Sequence, residues 1–316
     1  YVNLFREAAG LRPVQEASTL SGGAYLHSEY MARNDNGIAR FQKQENPYFT
    51  EAGHQAALNG NIFAMSLSEA NYLWAVNFWM SAPFHAVGVL DPQLERVGYG
   101  NFRDDLGAVR VAAVLDVESG VNPAVGAAYP VYFPADGGET WILRQNLLEY
   151  PEPLSHCEGY RKPVGPPLIV QIGAGERVPE VSGFSLTADG VPLEVCVFDE
   201  TTYTNGDEFA QTRGRDLLDE RDAIVMIPRE PLAIGQEIHA RIEANGEVFE
   251  WSFTAVAPPV ISAALIEPAP DVIGWGRFNA DSLEWGGQTH DFENLRLMGE
   301  TGMGWVKFQQ KWRADS

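Results

Sequence analysis

Apolar residues recur at helical spacing near the N-terminus and at alternating spacing from residue 168 onward. Leu20, Ala24, His27 and Met31 fall at i, i+4, i+7 and i+11, which predicts a helix over 18–33 with His27 on its buried stripe, ended by Asn34-Asp35-Asn36-Gly37. A shorter helix from Val2 stops before Gly10 and Pro13, and another covers 54–58 after a loop punctuated by Pro47 and Gly53. Ser68 is a candidate N-cap for a helix ending at Met80, whose Leu73, Trp74, Val76, Phe78 and Trp79 make it apolar nearly all round and hence central to its layer. A proline turn at 81–92 carries His85 and leads to strands at 97–102 and 109–116, with a third apolar run at 129–133. Helices followed by strands predict an α/β/α sandwich over residues 1–134.

Residues 135–167 are rich in proline, glycine and acidic side chains and read as a linker with short extended pieces. Strand signals follow at 168–172, 181–187, 191–198, 223–227, 237–244 and 248–254. Ile238, Ala240 and Ile242 alternate with His239, Arg241 and Glu243, and Phe249, Trp251 and Phe253 do the same in the last strand. Asp189-Gly190 and Asn245-Gly246 are turn dipeptides, the second a type I′ hairpin signal because both central residues need positive φ. Residues 168–256 are thus predicted to be an all-β antiparallel sandwich. Ala257-Pro258-Pro259 opens a proline-containing linker and extended tail over 257–316.

Several motifs occur in a telling order: an opening Asn3-x-x-Arg6 helix, Asn46-Pro47-Tyr48-Phe49-Thr50-x-x-Gly53, Trp79-Met80-Ser81-x-Pro83-x-His85, and Val97-Gly98-Tyr99-Gly100. This order is similar to that of bacterial domains of the CAP superfamily, the secreted cysteine-rich secretory, antigen and pathogenesis-related fold. The β half resembles bacterial Ig-like modules, which act as spacers or adhesion units. Residues 278–312, with Glu284-Trp285-Gly286-Gly287-Gln288 and Gly302-Met303-Gly304-Trp305, resemble the first strand of a (β/α)8 glycoside-hydrolase domain, whose general acid and nucleophile would lie beyond Ser316.

The formal charge of −21 argues against nucleic acid and anionic membrane surfaces as partners, since phosphate binding needs a Lys/Arg excess. No apolar run is long enough for a membrane-spanning helix, so no membrane insertion is expected. Cys157 and Cys196 are the only cysteines, too few for a structural zinc site. A bridge between them closes a loop of about 40 residues, contributes roughly 4 kcal/mol, and suits an extracellular or cell-surface location after removal of a signal peptide.

The CAP resemblance implies a cavity with two histidines and two acidic residues that holds a divalent cation. Carried onto this chain, the second histidine is His85, the first position is occupied by Arg40, and an acidic position by Asn61. A guanidinium stays protonated and does not ligate a metal, so neither a metal nor a cofactor is expected. His85, Arg40 and Asn61 remain the candidate ligand-binding set, acting on a polar or anionic ligand; the other reading of His85 is a histidine that fixes its turn by bonding backbone. Ser81 lies four residues before His85 but has no third orienting group, so no catalytic residue is assigned. His54 reads as a surface helix-start residue. The acidic pairs Asp104-Asp105, Asp199-Glu200 and Asp219-Glu220 read as solvated turns, and Tyr203 and Asn205 as loop packing.

These features point to a secreted, non-catalytic structural or adhesive protein, with the tail over 257–316 and its apolar Val260–Ile266 run available for self-association into a filament. The alternatives are a lipid or small-ligand binder, for which Trp74 and Phe84 are the expected exposed aromatics, and an envelope hydrolase.

Overall fold

A computed structural model describes residues 1–259 apart from 35, 36, 68, 69 and 105, together with two strands further along the chain. Its first helices are α1 (Val2–Ala8), α2 (Ser18–Asn34), α3 (Glu51–Leu58), α4 (Tyr72–Ser81) and α5 (Pro83–Val89). Strands β1 (Gln15–Glu16), β2 (Gly60–Met65), β3 (Arg96–Arg103) and β4 (Val111–Asp116) form one sheet in the order β1-β3-β4-β2. The parity of β4 separates two cores. Ala112 and Val114 pack with Ala24, Met31 and Ala56 of α2 and α3, whereas Val111, Ala113 and Leu115 pack with Phe5, Val76, Trp79 and Val87 of α1, α4 and α5. Helices therefore cover both faces of the sheet, an α/β/α sandwich.

The Val-Gly-Tyr-Gly motif has a steric cause. A Cβ on Gly98 would fall 2.3 Å from the carbonyl carbon of Leu20, and one on Gly100 would fall 2.0 Å from the amide of Tyr25. Only glycine lets α2 lie this close to β3. The Asn-x-x-Arg motif is likewise a clamp. Asn3 exchanges hydrogen bonds with the backbone of Val14, and the fully buried Arg6 donates to the carbonyls of Arg12, Val89, Asp91 and Leu94.

Local readings of the sequence need correction here. The segment around His85 is a buried helix and not a turn, because Pro83 sits at its first position, where the missing N–H costs nothing. Helix α4 starts at Tyr72 and is capped by Asn71, whose Oδ1 accepts from Leu73 and Trp74; Ser68 lies outside the described residues. Trp74 points outward and is 41% exposed, so the helix is not buried all round. The run at 129–133 yields β5 (Val131–Phe133), which pairs with a strand of the next sheet and not with the first.

The β-rich remainder continues with β6 (Gly138–Thr140), β7 (Leu168–Gln171), β8 (Val181–Ala188), β9 (Val191–Pro192), β10 (Val195–Phe198), α6 (Glu208–Asp219), β11 (Ala223–Pro228), β12 (Glu237–Ala244) and β13 (Glu247–Ala255). Two sheets result, β10-β11-β7-β5 and β6-β13-β12-β8-β9. Pairing is antiparallel except between β6 and β13. Asn245 and Gly246 have φ of 54° and 75°, as the β12–β13 hairpin demands.

The β10-β11-β7-β5 sheet is buried on both faces. Leu168, Val170, Ile224 and Met226 meet Ile238, Ala240, Trp251 and Phe253 of the outer sheet. Ile169, Val225 and Ile227 face the other way, into the core that holds Phe5, Trp79 and Phe84. The N-terminal sandwich and the β region thus share a core. Phe84, expected to be exposed, is 3% exposed, with its ring centroid 4.9 Å from that of Tyr203 and 5.9 Å from that of Phe198. The stretch 135–167 supplies β6, a single 3-10 turn at Pro153–Ser155, and Cys157. The Cys157–Cys196 disulfide, with Cα atoms 5.6 Å apart, ties that stretch to β10.

Beyond residue 261 the described residues are two strands, β14 (Gly286–Thr289) and β15 (Trp305–Phe308), which pair in parallel. Otherwise the hydrolase-like stretch and the Val260–Ile266 run lie outside the described residues. Among the described residues no helix is long and apolar enough to cross a membrane.

Candidate functional site

His85 is the third residue of α5, and its first-turn amide is shared between the Ala82 carbonyl at 3.0 Å and a carboxylate from outside the helix. That amide donates to Oε1 of Glu149 at 3.1 Å, and His85 Nδ1 lies 2.8 Å from the same oxygen. The Glu149 carboxylate is fully buried at the positive end of α5, where a helix favours negative charge. Its second oxygen accepts from Gln145 Nε2 at 3.4 Å. Burial pushes the Glu149 carboxyl above its ordinary pKa, and the hydrogen bond and charge of His85 oppose that rise.

The next residue continues the closure. Arg40, in the loop after α2, donates from Nη2 to the Tyr150 carbonyl at 3.0 Å and stacks its guanidinium 4.3 Å from the centre of the Tyr150 ring. Asn61, on β2, donates to the His85 carbonyl at 3.0 Å. His85, Arg40 and Asn61 therefore line one cavity of about 40 Å³, along with Phe84, Glu118 and Arg213. The sequence reading of the site did not include Glu149, Tyr150 or Arg213. They come from a stretch that reads as linker and from α6, a helix that the sequence reading does not contain.

The other candidates stand apart from this cavity. Ser81 Oγ donates to the Phe78 carbonyl at 2.8 Å. His27 is fully buried, with Nε2 2.6 Å from the Ala39 carbonyl and Nδ1 3.3 Å from Gln42, and burial lowers its pKa to about 4. His54 Nδ1 meets the backbone of Gln42 at 3.1 Å. Asp199 is buried and not solvated: its Oδ1 accepts from the amides and hydroxyls of Thr201 and Thr202. Tyr203 is fully buried and Asn205 donates to its hydroxyl.

Arg221, after α6, is the other buried cation near the cleft. Burial works against its charge, but Glu118, Asp91 and Glu220 outweigh that and hold its pKa above the ordinary value. Among the described residues no group of three or more His, Cys, Asp or Glu side chains is arranged to hold a metal ion. A larger groove of about 730 Å³ lies between α4 and residues 141–147, with Trp74, Phe78 and Trp141 in its walls.

Residues 1–110, which hold most of the helix-covered sheet, the glycine-bearing strand and His85, match the family model described as CAP, the cysteine-rich secretory protein family. The likeness to that family covers the N-terminal third of the chain. No curated protein matches the chain. The match stops at Arg110, one residue before β4, so one of the two central strands of the first sheet follows it directly. Glu149, Tyr150 and Arg213 lie beyond it, and the cleft at His85 is completed by residues outside the matched segment.

Proposed function

We propose that this protein is a non-catalytic, extracellular structural protein in which the CAP cleft serves as a joint to the β region. The observation that carries this reading is the buried pair between His85 Nδ1 and Glu149 Oε1 at 2.8 Å. The pair ties the histidine of the cleft to the β-rich remainder, and Ser81, the nearby hydroxyl that a His–carboxylate pair could activate, donates to the Phe78 carbonyl and not to His85. The remaining cavity of about 40 Å³ admits a few atoms and no whole substrate. Arg40 stands where the family resemblance implies a ligating histidine, and it is held on Tyr150.

In this proposal the β region acts as an Ig-like spacer, and residues 257–316 provide the contact through which copies associate into an adhesive filament. The test has two parts. Calorimetric titration with Zn²⁺, Ca²⁺ and Mg²⁺ should show no binding at micromolar concentration, and saturable 1:1 binding lost in His85→Ala would overturn the non-catalytic reading. Native mass measurement should show concentration-dependent assembly that removal of residues 262–316 abolishes; a single monomeric species at all concentrations would remove the filament.

A further inference from the structure

The cavity beside His85 has a charge arrangement that closure alone does not explain. Arg40 and Arg213 both line it: burial lowers the pKa of Arg40, Tyr150 and Glu149 oppose that, and the positive charge of Arg213 adds a smaller lowering. Such a like-charge pair is costly in a half-buried site unless something negative lies between. The chain has 43 acidic residues against 22 basic ones, yet among the described residues neither arginine forms an ion pair. The nearby carboxylates are taken. Glu118 receives Arg221 Nη2 on both oxygens, at 2.9 and 3.0 Å, and Glu149 is divided between His85 and Gln145.

Arg40 is fixed through one nitrogen to Tyr150 and stacked on its ring, which leaves its Nε and Nη1 edge for another acceptor. Arg213 approaches from α6, which Asp207 caps by accepting from the Ala210 amide and which buries Ala210, Gly214 and Leu218. We propose that Arg40 and Arg213 form a binding site for a small oxyanion, with His85 and Asn61 as the adjoining wall. Planar guanidinium forks match the oxygen spacing of phosphate, sulfate and carboxylate groups. A cavity of about 40 Å³ takes one such group, either as a free ion or as the end of a larger molecule that stays outside. The site inverts the charge of the cation pocket that the family resemblance implies. It goes beyond the joint proposed above and uses Arg213, which the joint does not need.

The test uses the full chain at constant ionic strength. Inorganic phosphate, glycerol phosphate and acetate are each titrated by calorimetry and by thermal unfolding, with chloride as reference. The expected result is saturable binding of at least one of them with a rise in unfolding midpoint, weakened tenfold or more in Arg213→Gln and partly kept in Arg213→Lys. Phosphate bound alone identifies a free ion, and glycerol phosphate bound equally well identifies a terminal phosphate group. Arg40→Gln should act in the same direction; if it fails to fold, Arg213→Gln decides. No probe binding better than chloride, or equal binding by Arg213→Gln, overturns the oxyanion site. Either outcome leaves the divalent-cation test of the joint unaffected, since that test reads His85.

Discussion

Glu149 and His85 are 64 positions apart, yet one carboxylate oxygen meets both the backbone amide and the ring nitrogen of the histidine. A residue outside the segment that matches the CAP family thereby fixes the histidine of the cleft. The contact is a buried ionisable pair, and removing one member strands the other.

Glu149→Ala is therefore expected to destabilise the protein by about 3 kcal/mol, because the His85 ring loses its partner inside a sealed site while the first-turn amide keeps only the Ala82 carbonyl. Glu149→Gln keeps an amide oxygen at the same place and should cost clearly less. Urea unfolding of the purified variants checks both. Equal stability of wild type and Glu149→Ala would mean that the joint bears no load.

Phe84→Asp tests the shared core. The ring lies against Tyr203 and Phe198 at 3% exposure, so a carboxylate there has neither water nor a partner. The variant is expected to lose at least about 4 kcal/mol and to fail to accumulate as folded protein. Phe84→Leu should cost only about 1–2 kcal/mol and remain folded. Circular dichroism and the thermal midpoint distinguish the two outcomes.

How much of this was legible in the sequence depends on how local each cause is. The α2 stripe through His27, the Asn245-Gly246 hairpin and the alternation of β12 and β13 are set by neighbouring residues, and the structure shows them where the pattern puts them. Val131–Phe133 reads as a strand, but its choice of β7 as partner depends on residues almost forty positions away. Helix α6 is hard to read from the sequence because two of the three residues on its buried stripe, Ala210 and Gly214, are small and add little apolar signal beside Leu218, while Phe209 on it is exposed. Its Asp207 cap was the available clue. His85, Arg40 and Asn61 were nameable from motif order. Glu149 was not, since a lone acid in a proline-rich stretch carries no periodicity to say that it turns inward.

The Arg6 clamp predicts a large effect from an apolar replacement of similar length. Arg6→Met leaves the carbonyls of Val89, Asp91 and Leu94 buried without their donor, and unmet acceptors of this kind cost about 1–3 kcal/mol each, non-additively. A loss of about 3 kcal/mol or more is expected in chemical denaturation. Arg6→Lys should recover only part, because one ammonium cannot span acceptors that the guanidinium reaches from three nitrogens.

His27 gives the pH dependence. Its folded pKa of about 4 lies below the ordinary 6.5, first because burial penalises the imidazolium and next because the Ala39 carbonyl bond only partly offsets that. The unfolded chain binds the proton more tightly, so the stability contributed by the neutral ring is complete above pH 6.5 and is lost as pH falls towards 4. The difference amounts to about 3 kcal/mol across that window. His27→Gln removes the titrating group, and its stability should change less between pH 7 and pH 4 than that of the wild type by about this amount. Urea unfolding at both pH values measures it, and parallel curves for the two proteins would show that His27 is not the group whose protonation opposes folding.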